Sequence, residues 1–249
     1  MQTVMERFLT RAADAARVVS EALIRATDET CDEVYFDTAR YPWARELEKH
    51  WYEIRAELDA LLEARGRIPT FQEVSEEQYV VSSDDLWRTH FFYVFGTRIE
   101  GNCQRCPRTA ELLTWVPGLG NAMFSILLPG KQIPEHRGPY KGLLRYHLAL
   151  RVPAPGELCW IDVNGERRHW QEGQSLVFDD SFIHSAANLT DALRVVLFLD
   201  FARPLPPVVA LLNRLMIRLI GATEFSRRPI AFLSDAAATG KDANARALD

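Results

Sequence analysis

Trp43, Leu47, Trp51, Ile54, Leu58 and Leu61 recur at three- and four-residue steps, which lines them along one face of a helix. Gly66 and Pro69 are expected to stop it. Residues 1–100 read mainly as helix, an annex packed on whatever follows. A short helix is expected from Pro107 in PRTAELLTWV, because proline is tolerated in a first turn. From Ala122 to Phe201 the pattern changes to short apolar runs broken by turn residues. These runs are AMFSILL (122–128), LLRYHLALRV (143–152), ELCWIDV (157–163), ERRHW (166–170), SLVF (175–178) and LRVVLFLDF (193–201). Asn164-Gly165 between two of them signals a hairpin, since both residues tolerate positive φ. Short strands without intervening helices favour a sandwich or jelly roll over a doubly wound sheet. The mainly β core is placed at 101–207, followed by a C-terminal helix at 208–230 and a disordered tail at 231–249.

Composition narrows the class. With 47% apolar and 25% charged residues, the chain is that of an ordinary globular protein. A net charge of −5 gives no footprint for a nucleic-acid partner. Four cysteines are too few for a disulfide scaffold at this length and fit a reducing compartment, so a cytoplasmic location is expected. The charged start MQTVMERFLTRAADAARVV lacks the apolar core of a signal peptide. No run reaches the roughly eighteen apolar residues of a membrane span. The segment VVALLNRLMIRLIG (208–221) carries Arg214 and Arg218 on one side, which suits peripheral contact with an anionic inner-membrane surface. Packing on the core or in a dimer suits it equally.

The candidate chemistry lies in the β region. His136 and His184 occupy polar, turn-forming segments, PEHRGPY and FDDSFIHSAAN, beside strand-like runs. Two neutral imidazoles can hold an iron and leave most of its coordination sphere open. Arg194 lies in a strand that is apolar on both faces, where a guanidinium requires an anion. Asp200 or Asp191 could meet it, or a bound dicarboxylate. Metal and anion clamp together suggest an oxygenase that uses an α-keto acid. Arg145 and His147 share a strand face with Leu143 and Ala149, which suggests an enclosed basic interior. His50, His90 and His169 read as packing or surface residues. Cys103-x-x-Cys106 lacks the second pair of a zinc site and reads as incidental thiols. Gly118 and Gly120 in PGLGN read as a turn.

The stretches SILLPGKQIPEHRGPY, LRYHLAL, NGERRHWQEGQSLVFDDSFIHSAAN and LRVVLFLDFARP resemble the aspartyl/asparaginyl β-hydroxylase family. The likeness is dense from Ser125 to Pro204 and weaker through WRTHFFYVFG and CPRTAELLTWVPGLGNAMF, where it is most similar to bacterial lipid A acyl-chain 2-hydroxylases. The resemblance implies a double-stranded β-helix, a cupin-like jelly roll. It implies Fe(II) and 2-oxoglutarate as cofactor and cosubstrate, with O2, succinate and CO2 in a C–H hydroxylation. By position it makes His136 and His184 the metal ligands, with Arg194 on the distal carboxylate of 2-oxoglutarate. Ser125, Arg145 and His147 fall where the family contacts the cosubstrate. Asp179 and Asp180 would brace the turn that delivers His184 rather than ligate.

Gly138 departs from the usual pattern of two histidines and one carboxylate, in which the carboxylate lies two residues after the first histidine. The resemblance implies that relatives with this glycine, notably the animal enzymes, work with two histidines and a water, whereas the lipid hydroxylases tend to carry Asp there. The missing anion implies weaker metal retention. Three readings stay open: a hydroxylase of a lipid acyl chain, a hydroxylase of a peptide or small amino-acid-derived molecule, and a non-catalytic cupin-like binding module. Arg137, Tyr140 and Lys141 could grip an acidic group under either of the first two.

Overall fold

The strands that are apolar on both faces are sandwiched between two separate cores, in the computed structural model that describes residues 4–64, 67–75 and 82–239. In chain order the elements begin with α1 (Val4–Thr27), β1 (Tyr35–Phe36), α2 (Pro42–Lys49), α3 (Trp51–Glu63) and α4 (Phe71–Val74). Then come β2 (Trp87–Val94), β3 (Thr97–Arg98), α5 (Glu100–Arg105), α6 (Pro107–Leu113), β4 (Leu119–Leu127), β5 (Gln132–His136) and β6 (Leu143–Arg151). They close with β7 (Cys159–Val163), β8 (Glu166–His169), β9 (Ser175–Phe178), β10 (His184–Asn188), β11 (Arg194–Ala202), α7 (Pro207–Gly221) and α8 (Glu224–Thr239).

Two antiparallel sheets form the jelly roll. The larger has the order β1-β9-β6-β11-β4-β2-β3 and the smaller β5-β10-β7-β8. Alternation along the strands sorts side chains to opposite faces. Leu144, Tyr146, Leu148, Phe124, Leu197 and Leu199 point outward and pack with Leu47, Ile54, Leu58 and Leu61 of the helical layer. Met123, Ala149, Val196 and Phe198 point inward, against Ile133, Ile161, Val163 and Ala186 of the smaller sheet. The central strands therefore lack a polar face because each side is roofed. The expected hairpin is present: Asn164 and Gly165 sit at φ 54° and 83° between β7 and β8.

Four expectations need correction. Residues 1–100 are not only a helical annex, since β1, β2 and β3 belong to the larger sheet and β2 pairs with β4 along most of its length. The run WRTHFFYV is largely buried and shows no polar alternation that would betray a strand. The single helix from Trp43 to Leu61 is two, α2 and α3, joined at His50. Its expected stop at Gly66 lies outside the described residues, and Pro69 precedes a capping box between Thr70 and Glu73 that opens α4. The C-terminal segment is two helices, so the first part of the expected tail, up to Thr239, is helical; residues 240–249 lie outside the described residues. His136 and His184 sit at strand ends rather than in turns.

Among the described residues no helix is long and apolar enough to cross a membrane. The four cysteines are free and buried. Burial pushes the Cys106 thiol up to about 12 and raises Cys103, which suits packing rather than chemistry.

His90 gives the fold a pH dependence. It is buried against Phe92 and Phe124, and burial pushes its pKa down to about 3. Between that value and the unfolded value of about 6.5 the unfolded chain binds the extra proton. Stability is therefore complete above pH ~6.5 and falls as the pH drops, by up to about 1.4 kcal/mol per pH unit from this residue. His90→Phe should flatten that acid limb, measured as urea midpoints between neutral and acidic pH.

Candidate active site

Strand register brings the two histidines together. His184 and His136 are direct partners across β10 and β5, with ring centroids 4.1 Å apart. His136 Nδ1 lies 2.8 Å from the Pro134 carbonyl, and His184 Nδ1 lies 3.0 Å from that of Phe182. A carbonyl only accepts, so each Nδ1 carries the hydrogen and each Nε2 keeps its lone pair. Burial pushes His184 down to about 3 and lowers His136, with Arg145 adding to both. Both rings are thus neutral and Nε2-basic at physiological pH, the state a metal requires.

The turn before His184 is held from inside. Asp179 is fully buried, accepts from the Ser181 N–H at 2.9 Å and from Lys141 Nζ at 2.8 Å, and pairs with Arg203. The Asp180 carbonyl accepts the Gly138 N–H at 2.7 Å, which ties the loop of one histidine to the turn of the other. A β-carbon at position 138 would overlap the Asp180 carboxylate. A carboxylate at position 138 would therefore have to displace the Asp180 side chain from its place beside Arg145. Asp180 is paired with Arg145 at 2.7 Å and is not one of a metal-binding trio; no group of three potential ligands occurs among the described residues. Burial, opposed by Arg145 and aided by Asp200, pushes the Asp180 carboxyl above the usual carboxylate range.

The basic interior face is as expected. Asp200 lies opposite Arg145 and Phe198 opposite His147 in the pairing of β11 with β6. Arg145 donates to Asp200 at 2.9 Å and approaches His184 Nε2 at 3.4 Å. Asp200 is thus committed to Arg145 and to Asn121 Nδ2, not to Arg194. Asp191, the other expected partner, is exposed and does not meet Arg194 either. Arg194 is 2% exposed; it donates to the Ser125 carbonyl at 3.3 Å and lies 4.5 Å from the Trp170 ring, while its Nε has no partner. Burial pulls its guanidinium down to about 9, with no carboxylate to oppose it.

Other polar atoms of the interior also lack a partner. Both ring nitrogens of His147, Trp170 Nε1 and Thr89 Oγ1 are buried without a hydrogen bond. His147 feels the charges of Arg194, Arg145 and His184, and its pKa falls well below normal, chiefly through burial. Ser125 Oγ accepts from Trp87 Nε1 at 3.0 Å. The structure therefore brings Ser125, Arg145, His147, Arg194 and the histidine pair to one barrel interior. Thr89, Trp87 and Trp170 escaped the sequence reading, which had Asp200 only as a possible partner of Arg194. Asp200 was signalled only by a charge in an apolar strand, and Thr89 by nothing local.

An open cavity of about 290 Å³ reaches this face. Its walls include Phe71, Val74, Trp87, Phe91, Val94, Met123 and Phe198, and it ends on His136, Gly138, Arg145 and Asp180. Arg137 is exposed at its edge, whereas Lys141 and Tyr140 are buried in contacts with Asp179 and Ser20 and cannot grip a ligand there. His169 lies on the surface near the carbonyls of Gly156 and Cys159, and His50 pairs with Glu53.

Comparison with known proteins assigns the class. The aspartyl/asparaginyl beta-hydroxylase family profile matches residues 48–204. Over 190 residues, 76% of this chain, the sequence is 46% identical to the ornithine lipid ester-linked acyl 2-hydroxylase of Rhizobium tropici, of which 68% is matched. It is 32% identical over 166 residues to human aspartyl/asparaginyl beta-hydroxylase, spanning 64% of this chain and 21% of that protein. A Cupin 2 conserved barrel domain protein from Salinispora arenicola aligns with a TM-score of 0.32 and 12% identity, covering 52% of this chain and 84% of that one. The protein is a hydroxylase on a jelly-roll scaffold. It belongs to the aspartyl/asparaginyl beta-hydroxylase family.

The lack of a carboxylate at Arg194 makes a stability prediction. Replacing even a buried ion pair by apolar side chains of similar volume is often neutral or stabilising, by about 1–4 kcal/mol, and a buried charge without its counter-ion has less to lose. Arg194→Met should hold or raise the urea midpoint of the ligand-free protein; a clear loss would mean that the guanidinium serves the fold. Gly138→Ala should instead lose about 1–3 kcal/mol in the same titration, through overlap with Asp180.

Proposed function

We propose that the chain is an Fe(II)- and 2-oxoglutarate-dependent hydroxylase of a lipid acyl chain. The observation that carries this reading is Arg194, a buried guanidinium without a carboxylate, on the same barrel interior as two Nε2-basic histidines. His136 and His184 would hold the iron, and Arg194 would take the far carboxylate of 2-oxoglutarate as a charge-assisted fork. His147, Ser125 and Arg145 would bound the cosubstrate between them. When bound, this pair supplies O2 activation, inserting one oxygen into an unactivated C–H bond while 2-oxoglutarate leaves as succinate and CO2. The barrel's own part is to orient the histidines through Pro134 and Phe182, exclude water, and hold the substrate carbon close.

The cavity supports an acyl chain over a peptide. A peptide brings a donor and an acceptor with each residue. Several polar side chains on the wall are already engaged: Asn121 donates to Asp200 and accepts from the Phe95 N–H, and Arg145 is held by Asp180 and Asp200, while Arg137 stands at the rim. The rest is largely aromatic and aliphatic. The acyl 2-hydroxylase from Rhizobium tropici supports the same choice. Gly138 favours the second reading, a hydroxylase of an aspartyl or asparaginyl peptide or a small amino-acid-derived molecule. The hydroxylase relatives speak against a non-catalytic binding module.

The test is succinate release with Fe(II) and ascorbate across acyl-lipid and aspartyl/asparaginyl peptide substrates. Turnover should occur with the lipids; turnover confined to peptides would replace this reading by the second. In anaerobic Fe(II) titration, His184→Ala should abolish binding, and unchanged binding would refute the ligand assignment. Arg194→Ala should raise the 2-oxoglutarate requirement at least about tenfold, the equivalent of about 1.4 kcal/mol.

A further inference from the structure

Exposed apolar side chains are concentrated on two helices that pack together, α1 and α7. On α7, Val208, Leu211, Leu212, Leu215 and Leu219 are exposed, Val208 at 73% and Leu211 at 58%. Their spacing gathers them on one stripe of the helix, apart from Val209, Asn213 and Met216, which face the protein. α1 adds Val18, Val19 and Leu23, and an apolar groove runs between the helices. Arg214 and Arg218 stand exposed along the edge of the α7 stripe, and α7 contains no acidic residue. On α1, Arg25 is exposed and Glu21 is met by Arg17 at 3.2 Å.

Two contacts join this face to the mouth of the cavity. The hydroxyls of Ser20 on α1 and Tyr140 share a hydrogen bond of 2.5 Å. Asn213 on α7 donates to the Gly142 carbonyl at 2.8 Å. Tyr140 and Gly142 belong to the segment that follows His136, of which Arg137, Gly138 and Pro139 line the cavity.

We propose that α1 and α7 form a docking face for an anionic lipid bilayer, which sets the mouth segment 137–139 at the level of the headgroups. The inference rests on the acyl-chain reading of the cavity. An apolar stripe edged by arginines fits such a surface: the leucines enter the acyl boundary and the guanidiniums meet anionic headgroups. A second copy fits less well, because a two-fold contact through this face brings two arginine edges into one interface.

Flotation of the full chain with phosphatidylcholine vesicles, with and without phosphatidylglycerol, tests it. Binding should require phosphatidylglycerol and weaken with salt. The pair Leu211→Asp and Leu215→Asp should abolish it, and the pair Arg214→Gln and Arg218→Gln should weaken it by roughly fivefold per arginine. All four positions are exposed, so circular dichroism and thermal unfolding should match the parent. A parent that ignores phosphatidylglycerol vesicles at low salt overturns the proposal, as do variants that bind like the parent. So does sedimentation showing a dimer that the aspartate pair dissolves, without vesicle binding. Turnover of detergent-dispersed lipid separates the two readings: if it persists without vesicle binding, only the docking face has failed, and if it is absent in the parent, the acyl-chain reading has failed.

Discussion

Moving a guanidinium from water into a barrel of hydrocarbon is costly unless an anion meets it. Arg194 has no carboxylate of its own, because Asp200 on the same strand is taken by Arg145. That allocation shapes the interior. One end of the barrel holds a compensated cluster of Arg145 with Asp180 and Asp200, beside the histidine pair. The other end holds a lone positive charge between Trp170 and Ser125. A chain that kept such a charge for packing alone would be better served by methionine or leucine. The proposed cosubstrate would bring the carboxylate that this guanidinium lacks.

The histidine pair depends on a second constraint, the joint between two loops. Gly138 has no side chain because the Asp180 carboxylate stands where one would go, and its N–H closes on the Asp180 carbonyl. Asp179, one residue earlier, is gripped by Lys141 and Arg203, and Arg203 also reaches Asp28 beyond the end of α1 at 2.9 Å. The turn that presents His184 is thus anchored in the same buried ion cluster that fastens α1 to the barrel. The surface helices and the metal-ligand candidates share one support.

Much of this was legible along the chain. The runs from Ala122 to Phe201 became strands close to their expected bounds, and Asn164-Gly165 turns where its tolerance of positive φ said it would. Arg145 and His147 face inward together because alternation in a strand is a local property. WRTHFFYV hid its strand because burial on both sides erased the polar alternation. The histidines looked like turn residues because PEHRGPY and FDDSFIHSAAN are rich in turn formers, yet pairing extended both strands to include them.

Side-chain periodicity and the place of an arginine in an apolar run are set by neighbours in sequence, so the chain alone determined the mainly β core, its inward basic face and the burial of a guanidinium at Arg194. Which carboxylate serves which guanidinium, why position 138 must be glycine, and which two helices share an exposed apolar face were decided by tertiary structure. Those outcomes depend on strand register and on contacts between residues far apart in the chain, such as Asp28 with Arg203 and α1 with α7, and no local pattern encodes them.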